Sequence, residues 1–245
     1  MCLCINLLEN RGKINNMYKY LLWDIDGTVL NFLASEAYAI RTLFKKYNLG
    51  ICTDDMLRQY SDINVKYWKM LERGELTKQQ ILVERFREFF VAIGIEDISF
   101  VESFNREYQL TLGDHIEFVD GAQQLLLSLK DSYTLAAVTN GTKTAQEKKL
   151  RLSGLDKLFD AIFISENIGA EKPSELFFNH VFEKLGITNK NEVLIIGDSL
   201  TSDIKGGFMA GIDTCWYNPT KSPNTLGIEV TYQIDDIGKI EDIIL

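Results

Sequence analysis

Short apolar runs alternate with amphipathic stretches along most of the chain. The runs that predict strands cover residues 18–23, 133–138, 161–164, 192–196 and 213–216. Helical periodicity fills the intervals between the later runs, in stretches that end near residues 129, 152, 185 and 210. Because the apolar residues in these runs are consecutive instead of alternating with polar ones, the runs are typical of strands that are buried on both faces. The pattern therefore predicts an α/β protein with a Rossmann-like, doubly wound parallel sheet.

A long stretch after the first apolar run departs from this alternation. Between residues 33 and 113 the apolar positions recur with a helical period, and no run resembles a strand. Two of the predicted helical faces consist of Ile40, Leu43, Phe44 and Tyr47, and of Leu82, Phe86, Phe89 and Ile93. We therefore expect an all-helical insertion at residues 33–113 and a core formed by residues 17–32 and 114–245. Residues 1–16 have no clear period and are expected to be a disordered or non-native extension.

The charge balance argues against several classes of partner. A formal net charge of −9 and a pI near 4.9 disfavour binding to a nucleic acid polymer or to an anionic membrane surface. No uninterrupted apolar run exceeds five residues, which is far short of a membrane-spanning helix. The four cysteines are too scattered for a disulfide framework, so we expect free thiols and a cytoplasmic location.

The residues that follow the predicted strands carry most of the candidate chemistry. In open α/β sheets, ligands bind beyond the carboxyl ends of the strands. The polar residues at or after those positions are Asp24, Asp26, Thr139, Asn140, Lys172, Asp198 and Asp203. Each alone has a structural explanation, since Asp, Asn and Gly form turns and a lysine before Pro173 can precede a helix. Their occurrence together after successive strands indicates a functional site.

Three carboxylates that converge at one sheet edge imply a cation. Asp24, Asp198 and Asp203 would repel one another unless a positive charge joined them, and hard oxygen ligands suit Mg²⁺. Lys172 and Thr139 would supply donors for the oxygens of a phosphate group. A carboxylate nucleophile that forms an aspartyl phosphate is an established route for phosphoryl transfer, and a second carboxylate two residues later could serve as acid and base.

These residues resemble the four motifs of the haloacid dehalogenase superfamily. The first motif is similar to Asp24-Ile-Asp26-Gly-Thr28, the second to Thr139, the third to Lys172, and the fourth to Gly197-Asp198 with Asp203. The resemblance covers nearly all of residues 18–245. It implies a Rossmann-like core with a helical cap inserted between the first two motifs, where the helical stretch at residues 33–113 lies.

The resemblance also implies a role for each motif residue in phosphoryl transfer. Asp24 would attack phosphorus as the nucleophile. Asp26 would protonate the leaving oxygen as general acid and then activate water as general base. Thr139 and the backbone N–H of Asn140 would bind phosphoryl oxygens, and Lys172 would offset the negative charge of the nucleophile and of the transferred group.

A magnesium site follows from the same resemblance. The side chains of Asp24 and Asp198 and the backbone carbonyl of Asp26 would hold the Mg²⁺. Asp203 would lie in the outer shell or bind the metal through water. Asp26 also favours phosphoryl chemistry over dehalogenation, because family members that cleave carbon–halogen bonds generally lack an acid at this position.

The substrate class is suggested by two stretches that extend beyond the motif residues. Residues 196–207 and 211–219 resemble the pyrimidine 5′-nucleotidase group, which is similar to phosphatases of deoxyuridine and thymidine monophosphates. We therefore expect a 5′-nucleotidase that acts on a small phosphorylated metabolite, a pyrimidine nucleoside monophosphate, as a monomer or weak dimer. In the cap, Asn64, Trp68 and Arg85 are candidates for substrate specificity because they offer an amide, a stacking surface and a cationic donor.

Other activities would use the same motif residues. Another capped phosphatase, of the phosphoglycolate type, or a mutase like β-phosphoglucomutase would carry the same core. A mutase would transfer the phosphoryl group to a second hydroxyl instead of to water. A non-catalytic binding module is the alternative outside the enzymes, and it is disfavoured because every motif residue is present. The only histidines, His115 and His180, lie far apart in sequence, so a serine- or cysteine-based mechanism has little support.

Overall fold

A computed structural model describes residues 18–244 of the chain, so the extension expected at residues 1–16 lies outside the described part. The strands are β1 (Tyr20–Trp23), β2 (Thr134–Thr139), β3 (Ala161–Ile164), β4 (Val193–Gly197), β5 (Asp213–Tyr217) and β6 (Tyr232–Ile234). They form one sheet in the order β3-β2-β1-β4-β5-β6, and every neighbouring pair is parallel. The predicted Rossmann-like parallel sheet is therefore confirmed.

Ten α-helices lie among residues 18–244. Five of them lie between β1 and β2, and the first four are α1 (Phe32–Lys46), α2 (Asp54–Glu72), α3 (Lys78–Ala92) and α4 (Val101–Thr111). We call residues 32–111, which contain these four, the helical insertion. The others are α5 (Ala122–Leu129), α6 (Lys143–Ser153), α7 (Ser165–Ile168), α8 (Glu175–Leu185), α9 (Lys205–Ala210) and α10 (Ile240–Ile244). In this described range, no helix is long and apolar enough to cross a membrane. The division into a cap and a core domain stays a prediction.

Short polar side chains mark where the helices of the insertion begin. The side chains of Asn31, Thr53 and Thr77 each accept a hydrogen bond from the backbone N–H three residues later. Thr77 and Gln80 form a reciprocal capping box. Such caps satisfy N–H groups that have no partner within the helix, and each typically contributes about 1 kcal/mol.

Helices cover the sheet on both faces. Along β1, Leu21 and Trp23 belong to one apolar cluster and Leu22 to another, and none of the three is exposed. Residues of α5 and α10 complete the first cluster, and residues of α8 complete the second. Successive strand residues point to opposite faces, so burial on both sides explains why the strand runs are continuously apolar.

The helical insertion has an apolar core of its own that is rich in aromatic rings. The ring centroids of Tyr60 and Phe86 lie 5.0 Å apart, and those of Phe90 and Phe104 lie 4.9 Å apart in a nearly perpendicular arrangement. Edge-to-face pairs of this kind stabilise beyond the burial of their area. Ala145 of α6 belongs to the same cluster. The insertion therefore packs against the rest of the molecule at α6.

Candidate active site

Three adjacent strands bring the motif residues to one edge of the sheet. β1 lies between β2 and β4, and Trp23 is in register with Ala137 on one side and Ile196 on the other. The N–H of Asp24 continues the pairing by donating to the carbonyl of Ile196 at 2.9 Å. Because the strands are parallel, the segments that follow all three of them meet at this edge.

The ammonium group of Lys172 is the centre of the site. Its Nζ donates to Asp24 Oδ1 at 2.7 Å, to Asp203 Oδ1 at 2.6 Å and to the carbonyl of Val138 at 2.7 Å. Burial by itself lowers the pKa of Lys172, but the charges of Asp203 and Asp24 outweigh burial and the pKa is raised. A fixed positive charge therefore lies against the predicted nucleophile.

Asp24, Asp198 and Asp203 form the acidic cluster that the sequence predicts. Each offers a carboxylate oxygen, and these oxygens lie within 4.8 Å of one another. Burial raises the pKa of Asp24 well above its ordinary value; Lys172 opposes this shift, and the two neighbouring acids add to it. Although Asp198 as a residue is exposed, desolvation of its carboxylate and the charge of Asp203 raise its pKa to about 7. Crowded carboxylates of this kind fit a divalent cation with a preference for oxygen ligands, because its charge would offset their repulsion.

The turn after β1 holds Asp198 in place. Thr28 Oγ1 accepts a hydrogen bond from the N–H of Asp198 at 3.0 Å and donates to Asp198 Oδ1 at 3.3 Å. Gly27 has a φ of 96°, a conformation that side chains disfavour. A Cβ atom at Gly27 would lie 2.6 Å from Asp198 Oδ2. The Gly-Thr pair of the first motif thus positions an acid of the fourth.

The loop after β2 is tied to the loop that carries Lys172. Asn140 Nδ2 donates to the carbonyl of Lys172, and Asn140 Oδ1 accepts a hydrogen bond from the N–H of Lys172, both at 2.8 Å. Thr139 is buried, and its Oγ1 accepts a hydrogen bond from the N–H of Gly141 at 3.1 Å. The side chain of Asn140 therefore fixes the backbone at Lys172, a role that the sequence does not predict.

This arrangement can be compared with known proteins. The family model described as haloacid dehalogenase-like hydrolase matches residues 21–217, which include all of β1 to β5 except Tyr20 and all four motifs. The chain belongs to this family. The superfamily resemblance drawn from the motifs is therefore confirmed, and the protein is a hydrolase by family.

Individual relatives in the haloacid dehalogenase-like family are similar over nearly the whole chain. The chain is 41% identical over 228 residues to the HAD-hydrolase YfnB of Bacillus subtilis, covering 93% of this chain and 95% of YfnB. It is 38% identical over 220 residues to the pyrimidine 5′-nucleotidase PynA of Streptococcus pneumoniae, covering 89% and 91% of the two chains. It is 26% identical over 227 residues to the pyrimidine 5′-nucleotidase YjjG of Escherichia coli, covering 93% and 98%. A crystal structure of YfnB bound to magnesium, in which interdomain movement is described, has a TM-score of 0.87 at 40% identity and covers 93% of this chain and 98% of that one.

Two residues of α6 that the family motifs do not include contact Asp26. Gln146 Nε2 donates to Asp26 Oδ2 at 2.6 Å, and Lys149 Nζ donates to Asp26 Oδ1 at 2.5 Å. Sequence reasoning missed both residues. The only available signal is a pair of polar residues three positions apart on one helix face, and such pairs are common on exposed helices.

The predicted specificity residues lie in the helical insertion. Arg85 Nη1 donates to Asn64 Oδ1 at 2.6 Å, and Asn64 Nδ2 donates to Glu36 Oε2 at 3.0 Å. Arg85, Asn64 and Glu36 are all buried, so they form an internal hydrogen-bonded chain. Trp68 is half-buried on α2. The structure brings Asn64 and Arg85 together, and contact of any of the three predicted residues with substrate stays a prediction.

The helical insertion reaches the rest of the molecule at two further points. Lys78 Nζ, at the start of α3, donates to Ser165 Oγ at 2.7 Å and lies 3.2 Å from Glu171 Oε1. Glu72, the last residue of α2, has its pKa raised by burial, an effect that its neighbour Thr201 opposes. These contacts place the junction of α2 and α3 against the segments that follow β3 and β4.

Proposed function

We propose that the protein is a Mg²⁺-dependent phosphomonoesterase that works through an aspartyl phosphate on Asp24. The observation that carries this proposal is the position of Lys172 between Asp24 and Asp203, at an edge where Asp198 also lies. A buried cation beside a carboxylate nucleophile suits the transfer of a phosphoryl group, because both reactants are negatively charged. The family and the nucleotidase relatives support this reaction class.

The side chains act in two chemical steps. In the first step a carboxylate oxygen of Asp24 bonds to phosphorus while the bond from phosphorus to the ester oxygen breaks, and Asp26 gives a proton to that oxygen. In the second step Asp26 takes a proton from water, the water oxygen bonds to phosphorus, and the bond from phosphorus to Asp24 breaks. Thr139, the N–H of Asn140 and Lys172 hold the oxygens that do not react.

The acidic cluster would hold the magnesium ion. The carboxylates of Asp24 and Asp198 and the backbone carbonyl of Asp26 are the proposed ligands. Both carboxylate oxygens of Asp203 already accept hydrogen bonds from protein donors, so we place Asp203 in the outer shell. When bound, Mg²⁺ neutralises charge on the phosphoryl oxygens. The magnesium in the YfnB structure supports this choice of metal.

For the substrate we propose a pyrimidine nucleoside 5′-monophosphate. The names of PynA and YjjG support this class, because the chain covers nearly all of each relative. The motif residues contact only the phosphate, so discrimination falls to the helical insertion, which we propose as the cap. There we propose Trp68 as a stacking surface for the base and the Asn64–Arg85 pair as its polar support.

Phosphate release from a panel of phosphomonoesters tests this function. With Mg²⁺, deoxyuridine and thymidine monophosphates should have a higher kcat/KM than phosphoglycolate or hexose phosphates, and a chelator should stop turnover. A preference for phosphoglycolate would favour the other capped phosphatases. A requirement for a sugar bisphosphate, with transfer to a second hydroxyl, would favour a mutase. No phosphate release from any ester would refute the phosphatase proposal.

Trp68→Ala tests the proposed base contact. Stacking on a base is typically worth about 1–3 kcal/mol, so kcat/KM for thymidine monophosphate should fall about tenfold to a hundredfold. Hydrolysis of 4-nitrophenyl phosphate by the same variant is the control, because the motif residues that bind its phosphate are unchanged. An equal loss with both substrates would contradict the stacking role and leave the phosphatase function in place.

A further inference from the structure

The carboxylate of Asp26 is held by two side chains from one face of α6. Gln146 Nε2 donates to one of its oxygens at 2.6 Å, and Lys149 Nζ donates to the other at 2.5 Å. Residues three apart lie on the same side of a helix, so both donors approach Asp26 together. A carboxylate has about four acceptor sites, and two donors leave sites free for a proton.

Both donor side chains are buried, and Lys149 is paired with Asp26. Lys149 is 0% exposed and Gln146 is 1% exposed. An ammonium group is costly to bury unless an opposite charge compensates it, and Asp26 is the carboxylate with which Lys149 pairs. The Lys149 Nζ also lies 5.0 Å from the centre of the Phe32 ring, a favourable position for a cation. Lys149 is therefore confined between the first residue of α1 and the predicted acid.

The phosphate-binding loop leaves room for Gln146. A Cβ atom at Gly141 would lie 2.1 Å from Gln146 Nε2, so a side chain at position 141 would displace the amide that contacts Asp26. Gly141 directly follows Thr139 and Asn140, the predicted phosphate donors. Gln146 thus lies between the loop that binds the phosphoryl group and the residue that transfers protons.

We propose that Gln146 and Lys149 are positioning residues that hold the Asp26 carboxylate in one orientation for both proton transfers. Donors on both oxygens fix the plane of the carboxylate, whereas a carboxylate with one donor or none can rotate about its side-chain bonds. Small errors in the placement of a catalytic group lower rates strongly. The inference rests on the proposed function, because it assigns the two residues to the general acid and base of that reaction.

Three variants separate this role from a structural one. Lys149→Met and Gln146→Met remove one donor each and keep the length of the side chain. Lys149→Arg keeps a cationic donor at this position. The matched control is Lys148→Met, on the same helix, because Lys148 Nζ contacts the carbonyl of Leu110 and the carboxylate of Asp114 instead of Asp26. Thermal unfolding of each variant checks that it is folded; if Lys149→Met does not fold, Gln146→Met and Lys149→Arg carry the test.

Two leaving groups distinguish the two proton transfers. The 5′-oxygen of a nucleoside is a poor leaving group and needs a proton, whereas 4-nitrophenolate leaves without one. With thymidine monophosphate, kcat should fall about tenfold to a hundredfold in the Met variants, a part of the 10²–10⁴ that general acid–base catalysis typically supplies. With 4-nitrophenyl phosphate, the first turnover in a stopped-flow burst should stay within a few-fold of wild type, and the later steady state should slow because hydrolysis still needs the base. Lys149→Arg should recover part of the loss, and Lys148→Met should match wild type.

The contrary results are distinct from a failure of the proposed function. If the wild-type protein hydrolyses the ester and kcat is unchanged in both Met variants, the inference is overturned and the proposed function stands. A loss confined to KM, or an equal slowing of the first turnover with both leaving groups, would also overturn the inference. Absence of turnover in the wild-type protein with every phosphomonoester would overturn the proposed function and this inference together.

Discussion

The Nζ of Lys172 lies 2.6 Å from Asp203 Oδ1, and each of these two side chains is 1% exposed. A buried pair of this kind is costly to desolvate, so its net contribution to folding is small even though removal of one partner is strongly destabilising. Its value here is positional. Asp203 holds the ammonium group of Lys172 while the same group contacts Asp24. The pair therefore fixes a positive charge where a phosphoryl group would be transferred.

Lys172→Met should damage both stability and activity. The substitution leaves buried carboxylates without their cation, so the free energy of unfolding should fall by about 3–5 kcal/mol. Loss of a preorganised charge should lower kcat by about 10²–10³ in the fraction that folds. Denaturant unfolding and phosphate release measure the two effects.

The matched control for this substitution is Lys19→Met. Lys19 also forms an ion pair, 2.8 Å from Glu192, but its side chain is 62% exposed. Exposed pairs contribute little to stability because solvent screens them, so this variant should differ little from wild type. Similar losses in the two variants would contradict the importance assigned to the Lys172 position.

Gly27→Ala should weaken the metal site through Asp198. The new methyl group would be 2.6 Å from Asp198 Oδ2 at a φ of 96°, so the turn or the acid must move. We expect a loss of about 1–3 kcal/mol in the free energy of unfolding and a higher Mg²⁺ concentration for half-maximal activity. Gly50→Ala is the control, because Gly50 has a φ of 87° with nothing within 4 Å of the added Cβ. Equal magnesium dependence in the two variants would show that the contact with Asp198 is unimportant.

Glu36 should make stability depend on pH. Burial raises the pKa of Glu36 from 4.5 to about 7, although Ser61, Arg85 and Asn64 oppose the shift. Between these values the unfolded chain has lost the proton that the folded protein keeps, so the free energy of unfolding falls as pH rises, by about 3 kcal/mol in total. Glu36→Gln should remove this contribution, so the difference in the free energy of unfolding between wild type and the variant should change with pH. Denaturant unfolding from pH 4.5 to 7 measures it, with the exposed Glu183→Gln as control, and a constant difference between wild type and Glu36→Gln would contradict it.

Much of the fold is visible in the sequence because burial leaves a local pattern. β1 to β5 were predictable since each contains three or four consecutive apolar residues. The insertion was predictable because its buried positions recur with a helical period. β6 was missed because Tyr232–Ile234 is only three residues long and includes an exposed glutamine. So short a segment has no period of its own, and it becomes a strand by pairing with β5.

The candidate site was also predictable only in part. Asp24, Asp198 and Asp203 were expected to converge because they follow strands of one parallel sheet. The contacts of Gln146 and Lys149 with Asp26 could not be inferred, since they depend on how α6 is rotated against the first loop. Local periodicity places a residue on a helix face, but it does not identify the atom that the face meets.

The central claim is that Asp24 becomes phosphorylated. Rapid acid quench of the protein with Mg²⁺ and thymidine monophosphate, followed by mass spectrometry of its peptides, measures this most directly. With 4-nitrophenyl phosphate, whose leaving group needs no proton, Asp26→Asn should accumulate the intermediate, because removal of the base slows its hydrolysis. We predict that the peptide containing Asp24 gains the mass of one phosphoryl group and that Asp24→Asn gains none and has no turnover. A phosphoryl group on another residue, or turnover of Asp24→Asn within a few-fold of wild type, would contradict the proposed mechanism.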